Sequence, residues 1–181
     1  MADKQVYGIS LDVGTMNFVS ARRTATGVET KRMRDVFIDL PPNAKKMLRL
    51  SGTSFVEREE DVLILGDAAM ETANVFGREP RRPLSNGIVS ASEAQSLEVL
   101  GLLAKHVLGD PLIPGETCFF SVPAVPIDRP GQDVIYHRGV FERIVKECGY
   151  TPHAANESMA IIYSECAAEG FSGIALSFGS G

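Results

Sequence analysis

Two stretches of the chain repeat one order of residue types. The first is Tyr7-Gly8-Ile9-Ser10-Leu11-Asp12-Val13-Gly14-Thr15, and the second is Ser172-Gly173-Ile174-Ala175-Leu176-Ser177-Phe178-Gly179-Ser180. Each is a glycine, a short apolar strand, a small polar or acidic residue, one apolar residue, then Gly-Thr or Gly-Ser. A strand that stops at a small-residue turn bearing a hydroxyl is equipped to cradle a phosphate. In the first stretch Gly14 keeps a Cβ out of the way of main-chain N–H groups. Thr15 adds a hydroxyl donor and Asn17 a side-chain amide. Asp12, at the strand end, is placed to hold a hydrated Mg²⁺ through its water shell, because Mg²⁺ keeps several waters and takes few carboxylates. Taken alone, either stretch also reads as a plain hairpin with a turn glycine. Together the two predict a nucleotide gripped between two related domains.

Other chemistries find little support. The histidines His106, His137 and His153 show no zinc-site spacing and read as structural. The cysteines Cys118, Cys148 and Cys166 lack CxxC spacing and sit in apolar surroundings, as reduced core thiols do. No GxxxxGK[ST] loop, no GxGxxG after a strand and no serine nucleophile elbow is present. Arg78, Arg81 and Arg82 stand beside prolines and read as a solvated loop, with a filament or partner contact as the alternative.

The elements that must position the first stretch follow from hydrophobic period and turn residues. Residues 6–11 predict a strand, 18–21 a second and 28–40 a third, an antiparallel meander that Pro41-Pro42-Asn43 breaks. Residues 53–56 and 62–65 predict a charged hairpin, and 66–76 a helix. Residues 78–87, rich in Pro, Gly and Arg, predict a loop. A helix is expected from Ser92 to about Leu108, with Leu97, Leu100, Leu103, Ala104 and Val107 as its buried stripe, widened by Val99 and Leu102. Strands at 117–122, 151–156 and 174–178 alternate with helices at 134–148 and 157–168. The face of the first of these helices carries Val140, Phe141, Ile144, Val145 and Cys148. A meander followed by alternating units predicts an α/β fold of ribonuclease-H-like type, a mixed five-stranded sheet flanked by helices.

The 181 residues suffice for one domain or one domain and part of another. A net charge of −5 argues against nucleic acid as the main partner. The charge is uneven: residues 21–50 carry eight basic side chains against three acidic ones, which reads as a solvated basic face. No apolar run approaches the ~18 residues of a membrane span, and Met1-Ala2-Asp3-Lys4-Gln5 lacks a signal peptide's apolar core. The expectation is a cytoplasmic chain.

The ordered series of segments resembles the actin-like ATPase superfamily, which includes MreB-type bacterial actins and DnaK-type chaperones. Leu11-Asp12-Val13-Gly14-Thr15-Met16-Asn17 is similar to the first phosphate motif of that superfamily. Gly66-Asp67-Ala68-Ala69 and Arg82-Pro83-Leu84-Ser85-Asn86-Gly87-Ile88-Val89 resemble the MreB-type stretch leading into a long helix. Ser121-Val122-Pro123-Ala124 resembles the strand and turn after it, and 143–149 the next helix. Asn156-Glu157-Ser158-Met159-Ala160 resembles the Glu-Pro-x-Ala segment, and 174–181 the second phosphate motif.

The resemblance implies ATP and Mg²⁺ as cofactors. It assigns Asp12, Gly14, Thr15, Met16 and Asn17, with Ser177, Gly179, Ser180 and Gly181, to the phosphates, and Asp12 to the metal. Glu157 would orient the attacking water; the competing reading is that it only caps its helix. The chain departs from the family in two places. Ser177 stands where the family has an aspartate, and Ser158 where it has a proline, which puts hydrolysis in question more than binding. The implied layout is a core domain over 1–31 and 91–171, an inserted small subdomain over 32–90, and the start of a second domain at 172–181. The chain is thus expected to be an N-terminal half, completed by a second domain or by self-association into filaments. A non-hydrolysing scaffold and a chaperone ATPase fragment are the alternatives.

Overall fold

The computed structural model describes residues 8–90, 92–124 and 134–176. The chain opens on β1 (Ile9–Val13), β2 (Asn17–Thr24) and β3 (Gly27–Arg34), then β4 (Phe37–Leu40), α1 (Lys45–Ser51), β5 (Val56–Glu57), β6 (Val62–Leu65) and α2 (Gly66–Phe76). There follow β7 (Leu84–Ser85), β8 (Ile88–Val89), α3 (Ser96–Leu108), β9 (Thr117–Val122), α4 (Val134–Glu147), β10 (Thr151–Asn156) and α5 (Glu157–Glu165). The main sheet has five strands in the order β10-β9-β1-β2-β3. β1 to β3 pair antiparallel, while β1, β9 and β10 run parallel. This is the mixed sheet expected from a meander followed by alternating units.

Alternation along β1 turns Ile9, Leu11 and Val13 inward and Ser10 and Asp12 outward. The inward residues meet Cys118, Phe120 and Val122 of β9 and the buried faces of α3 and α4 in one core. Phe141 of α4 anchors it, with its ring centroid 5.9 Å from that of Phe18 and 6.4 Å from that of Phe120. Each such fully buried aromatic contributes about 1.5–3 kcal/mol of burial. α5 packs on β9 and β10, and only Ile162 of its residues is buried.

A second sheet, β4-β6-β5, has a separate core in which Val36, Ile38, Leu40, Leu48, Val62 and Ile64 meet Ala69 and Ala73 of α2. The expected third strand over 28–40 is therefore two strands in two sheets. Polar Thr30 to Arg34 suits the exposed edge strand β3, whereas Val36 to Leu40 is nearly all apolar and is buried elsewhere. The chain changes sheets at Asp35, whose N–H donates to the Met16 carbonyl at 3.0 Å.

Other differences are local. α1, not anticipated, forms after Pro42 with one buried anchor, Leu48, and ends at the left-handed Gly52. The 78–87 loop contains half of the β7–β8 hairpin, closed by Asn86 and Gly87 at φ 51° and 78°, the backbone an Asn-Gly turn adopts. α3 starts at Ser96, and of its expected stripe Leu97 is half-exposed while Val99, Leu100, Leu103, Ala104 and Val107 are buried. Residues 174–176 form no strand, and Ile174 and Leu176 are exposed. Residues 177 and 178 of that expected strand lie outside the described residues. Four side chains of the basic segment are paired with acids: Arg22 with Glu116, Arg34 with Asp67, and Lys45 and Arg49 with Glu57. No helix among the described residues is long and apolar enough to cross a membrane.

Candidate functional site

Three parallel strands deliver their carboxyl ends to one edge of the sheet: β1 at Val13, β9 at Val122 and β10 at Asn156. In open α/β sheets the crevice outside such ends is where ligands are held. Asp12 on β1 and Ser121 on β9 stand side by side there. The Ser121 hydroxyl donates to Asp12 Oδ1 at 2.9 Å and accepts the Val13 N–H at 2.8 Å. Partial burial raises the Asp12 carboxyl above the usual carboxylate range, the Ser121 hydroxyl opposes that, and the charge of Glu157 adds to it. The structure thus brings Asp12 and Glu157 within electrostatic reach.

Beyond Asp12 the chain turns tightly into β2. The Gly14 N–H donates to the Asn17 carbonyl at 3.1 Å, and a Cβ on Gly14 would stand 3.0 Å from that oxygen. A side chain there would crowd the turn, and the Gly14 N–H is spent inside it. The N–H groups of Thr15 and Met16, at the tip, make no hydrogen bond among the described residues. Thr15 Oγ1 accepts the Gly87 N–H at 3.1 Å, which leaves its own hydrogen to point elsewhere. Asn17 Oδ1 accepts from Arg32 Nε at 2.9 Å, which leaves its NH₂ as the outward donor. The tip therefore presents amides, a hydroxyl and a carboxamide, all donors suited to an anion.

The turn is braced from behind by residues that the sequence reading did not assign to the site. Arg82 Nη1 donates to the Thr15 carbonyl at 3.0 Å and to the Asp35 carbonyl at 3.3 Å. Arg82 is therefore no member of a solvated loop. Arg81 donates to Asp39 at 2.6 Å and lies 4.6 Å over the Phe37 ring. Asp35 is completely buried, and its carboxyl is pushed up to about 8 by that burial, with Arg82 opposing. Ser121, Arg82 and Gly87 carry no spacing signal. Only sheet register and the fold of the 81–89 segment bring them to the turn.

Glu157 is the first residue of α5 and is half-buried. The cap of that helix is Asn156, whose Oδ1 accepts the Met159 N–H at 3.1 Å. Capping is thus accounted for by its neighbour. Ser177, Gly179, Ser180 and Gly181 lie outside the described residues. Among the described residues no three His, Cys, Asp or Glu side chains form a metal cluster. A cavity lined by Gly8, Glu116, Thr117, Phe119 and His153 lies at the opposite end of the strands, away from Asp12.

The fold has solved counterparts. A chain of the MamK double helical filament matches with a TM-score of 0.54 at 18% identity, over 85% of this chain and 41% of that one. The AlfA filament from the B. subtilis plasmid pLS32 matches at 14% identity and a TM-score of 0.47, over 86% of this chain and 57% of that one. The chain thus spans about two fifths of the MamK chain it matches. The likeness to MamK shows the actin-like fold. No curated protein sequence matches the chain significantly. The volactin family model covers residues 7–181, taking in the β1–β2 turn, Ser121 and Glu157 together, and the chain belongs to the volactin family.

Proposed function

We propose that this chain forms one jaw of a nucleotide clamp in an actin-like filament protein. The observation that carries the reading is the convergence of Asp12 and Glu157 beside a turn whose tip presents only donors. Thr15, Met16 and Asn17 receive phosphate oxygens of ATP, and Gly14 lets the turn close. Asp12 holds the water shell of Mg²⁺, which neutralises phosphate charge when bound. Glu157 orients water toward the terminal phosphate, a role of positioning more than of bond-making. Ser177, Gly179, Ser180 and Gly181, the start of a second domain in this reading, add further phosphate contacts. Self-association is supported by the fold shared with a filament chain. The second reading, a scaffold that binds without hydrolysing, rests on Ser177 in the place of the family's aspartate.

The test is sedimentation of the protein with and without Mg-ATP, paired with phosphate release. The expected result is nucleotide-dependent pelleting that Asp12→Asn and Thr15→Ala weaken at least tenfold in half-maximal ATP. Phosphate release is expected to fall at least a hundredfold in Glu157→Gln while pelleting persists. Pelleting that ignores nucleotide and both turn variants would overturn the clamp. Nucleotide-dependent pelleting without phosphate release would establish the scaffold.

A further inference from the structure

Asp35 and Arg82 are neighbours that do not pair. The Asp35 side chain is completely buried, and neither carboxyl oxygen has a hydrogen-bond partner. The Leu84 N–H offsets a little of the burial effect on the carboxyl, but it forms no hydrogen bond to it. Meanwhile Arg82 spends Nη1 on two main-chain carbonyls, those of Thr15 and Asp35 itself. A buried acid without a partner is costly, and an arginine beside it is its natural remedy. The guanidinium thus has two seats within reach, and in this structure it takes the one that grips the turn.

The base from which Arg82 swings is rigid. The neighbouring Arg81 exchanges two 2.9 Å main-chain hydrogen bonds with Phe37 of β4. Asp35 is fixed by its N–H on the Met16 carbonyl. Movement of the Arg82 side chain therefore transfers its hold between the turn and the junction of the two sheets without moving either backbone anchor.

We propose that Arg82 and Asp35 form a two-position latch: the guanidinium holds the Thr15 carbonyl in one position and the Asp35 carboxylate in the other, releasing the tip of the β1–β2 turn. The charge on the acid selects the position. A protonated Asp35 has no pull on Arg82, consistent with the elevated titration its burial causes. When the proton leaves to solvent, the carboxylate draws the guanidinium away from Thr15. The other charged groups nearby are engaged: Arg34 of β3 with Asp67 of α2, Arg81 with Asp39 and Glu93, and Arg32 with Asn17. Arg82 is the charge that acts on the Asp35 carboxyl. The latch stands on the turn and its neighbours alone, whatever anion the turn takes.

The test is a pH titration of the full chain followed by NMR, reading the Asp35 carboxyl carbon and the amides of Thr15, Met16 and Gly87. The expected result is one midpoint above neutrality shared by the carboxyl and the three amides. Asp35→Asn should abolish the amide changes and leave the signals at their low-pH positions. Arg82→Gln should abolish them too, while the Asp35 carboxyl still titrates, at a higher midpoint. Amides that stay still while the carboxyl titrates, or that titrate unchanged in either variant, would overturn the latch. Should Asp35→Asn fail to fold, the parent chain and Arg82→Gln decide between these outcomes. No arm contains nucleotide, so failure of the clamp reading leaves the result intact.

Discussion

The Ser121 hydroxyl stands between Asp12 Oδ1, to which it donates at 2.9 Å, and the Val13 N–H, which it accepts at 2.8 Å. One oxygen thus ties β9 to the end of β1 and helps keep Asp12 ionised against burial and the charge of Glu157. Ser121→Ala leaves the Val13 N–H without a partner, a loss of about 1–3 kcal/mol. For a chain of this size that lowers Tm by about 2–4 °C per kcal/mol. Ser121→Thr keeps the hydroxyl and should stay within about half of that loss. Urea unfolding of the two variants checks the pair, and equal stabilities would refute it.

Two buried groups set opposing pH slopes. Burial holds His137 at about 4, below its ordinary 6.5, and Asp35 at about 8, above its ordinary 3.8. From about pH 4 to 6.5 the unfolded chain holds the His137 proton and the folded chain the Asp35 proton. The two states bind equal numbers, and these groups contribute no slope. Above about 6.5 only the folded chain keeps a proton, on Asp35, so stability falls by about 1.4 kcal/mol per pH unit until about 8. Asp35→Asn removes that fall and uncovers the His137 term, a rise in stability between about pH 4 and 6.5. His137→Phe, set against Phe141, does the reverse, giving a fall across the whole range. Denaturant unfolding at about pH 5, 6.5 and 8 reads all three profiles.

The strand endings were legible because apolar runs met turn residues. β9 and β10 match their expected bounds, and Asp12 stands near the end of β1, as expected. The break at Asp35 was marked only by a run of charge, which an exposed edge strand also carries. What changes is the partner sheet, and pairing is a long-range fact. The donors at the turn were only half legible. Residue type marked Thr15 and Asn17, but which hydrogens stay free depends on Gly87 and Arg32, and no spacing rule brings those two residues to the turn.

α3 offers a direct check on its register. Leu100 is completely buried, and Leu97, which the helical stripe predicted to be buried, is 50% exposed. Leu100→Ala should cost about 2–5 kcal/mol through lost contacts and a residual cavity. Leu97→Ala should stay within about 1 kcal/mol, as surface truncations do. Thermal unfolding of both variants measures the contrast. Comparable losses would place the helix in a different rotation.

At the start of α5, capping and chemistry fall on adjacent residues, so they can be separated. Asn156 Oδ1 accepts the Met159 N–H, so Asn156→Ala should cost about 1 kcal/mol of stability. Glu157 contributes a first-turn charge to the helix, worth about 0.3–1 kcal/mol, and its carboxylate also raises Asp12. Glu157→Gln should therefore leave the chain nearly as stable as before and lower the Asp12 titration. Asn156→Ala should leave that titration in place and lower the melting temperature. NMR titration of the Asp12 carboxyl in both variants, beside their melting curves, reads the two effects independently. An Asp12 titration unmoved by Glu157→Gln would show that the two carboxylates do not share a site.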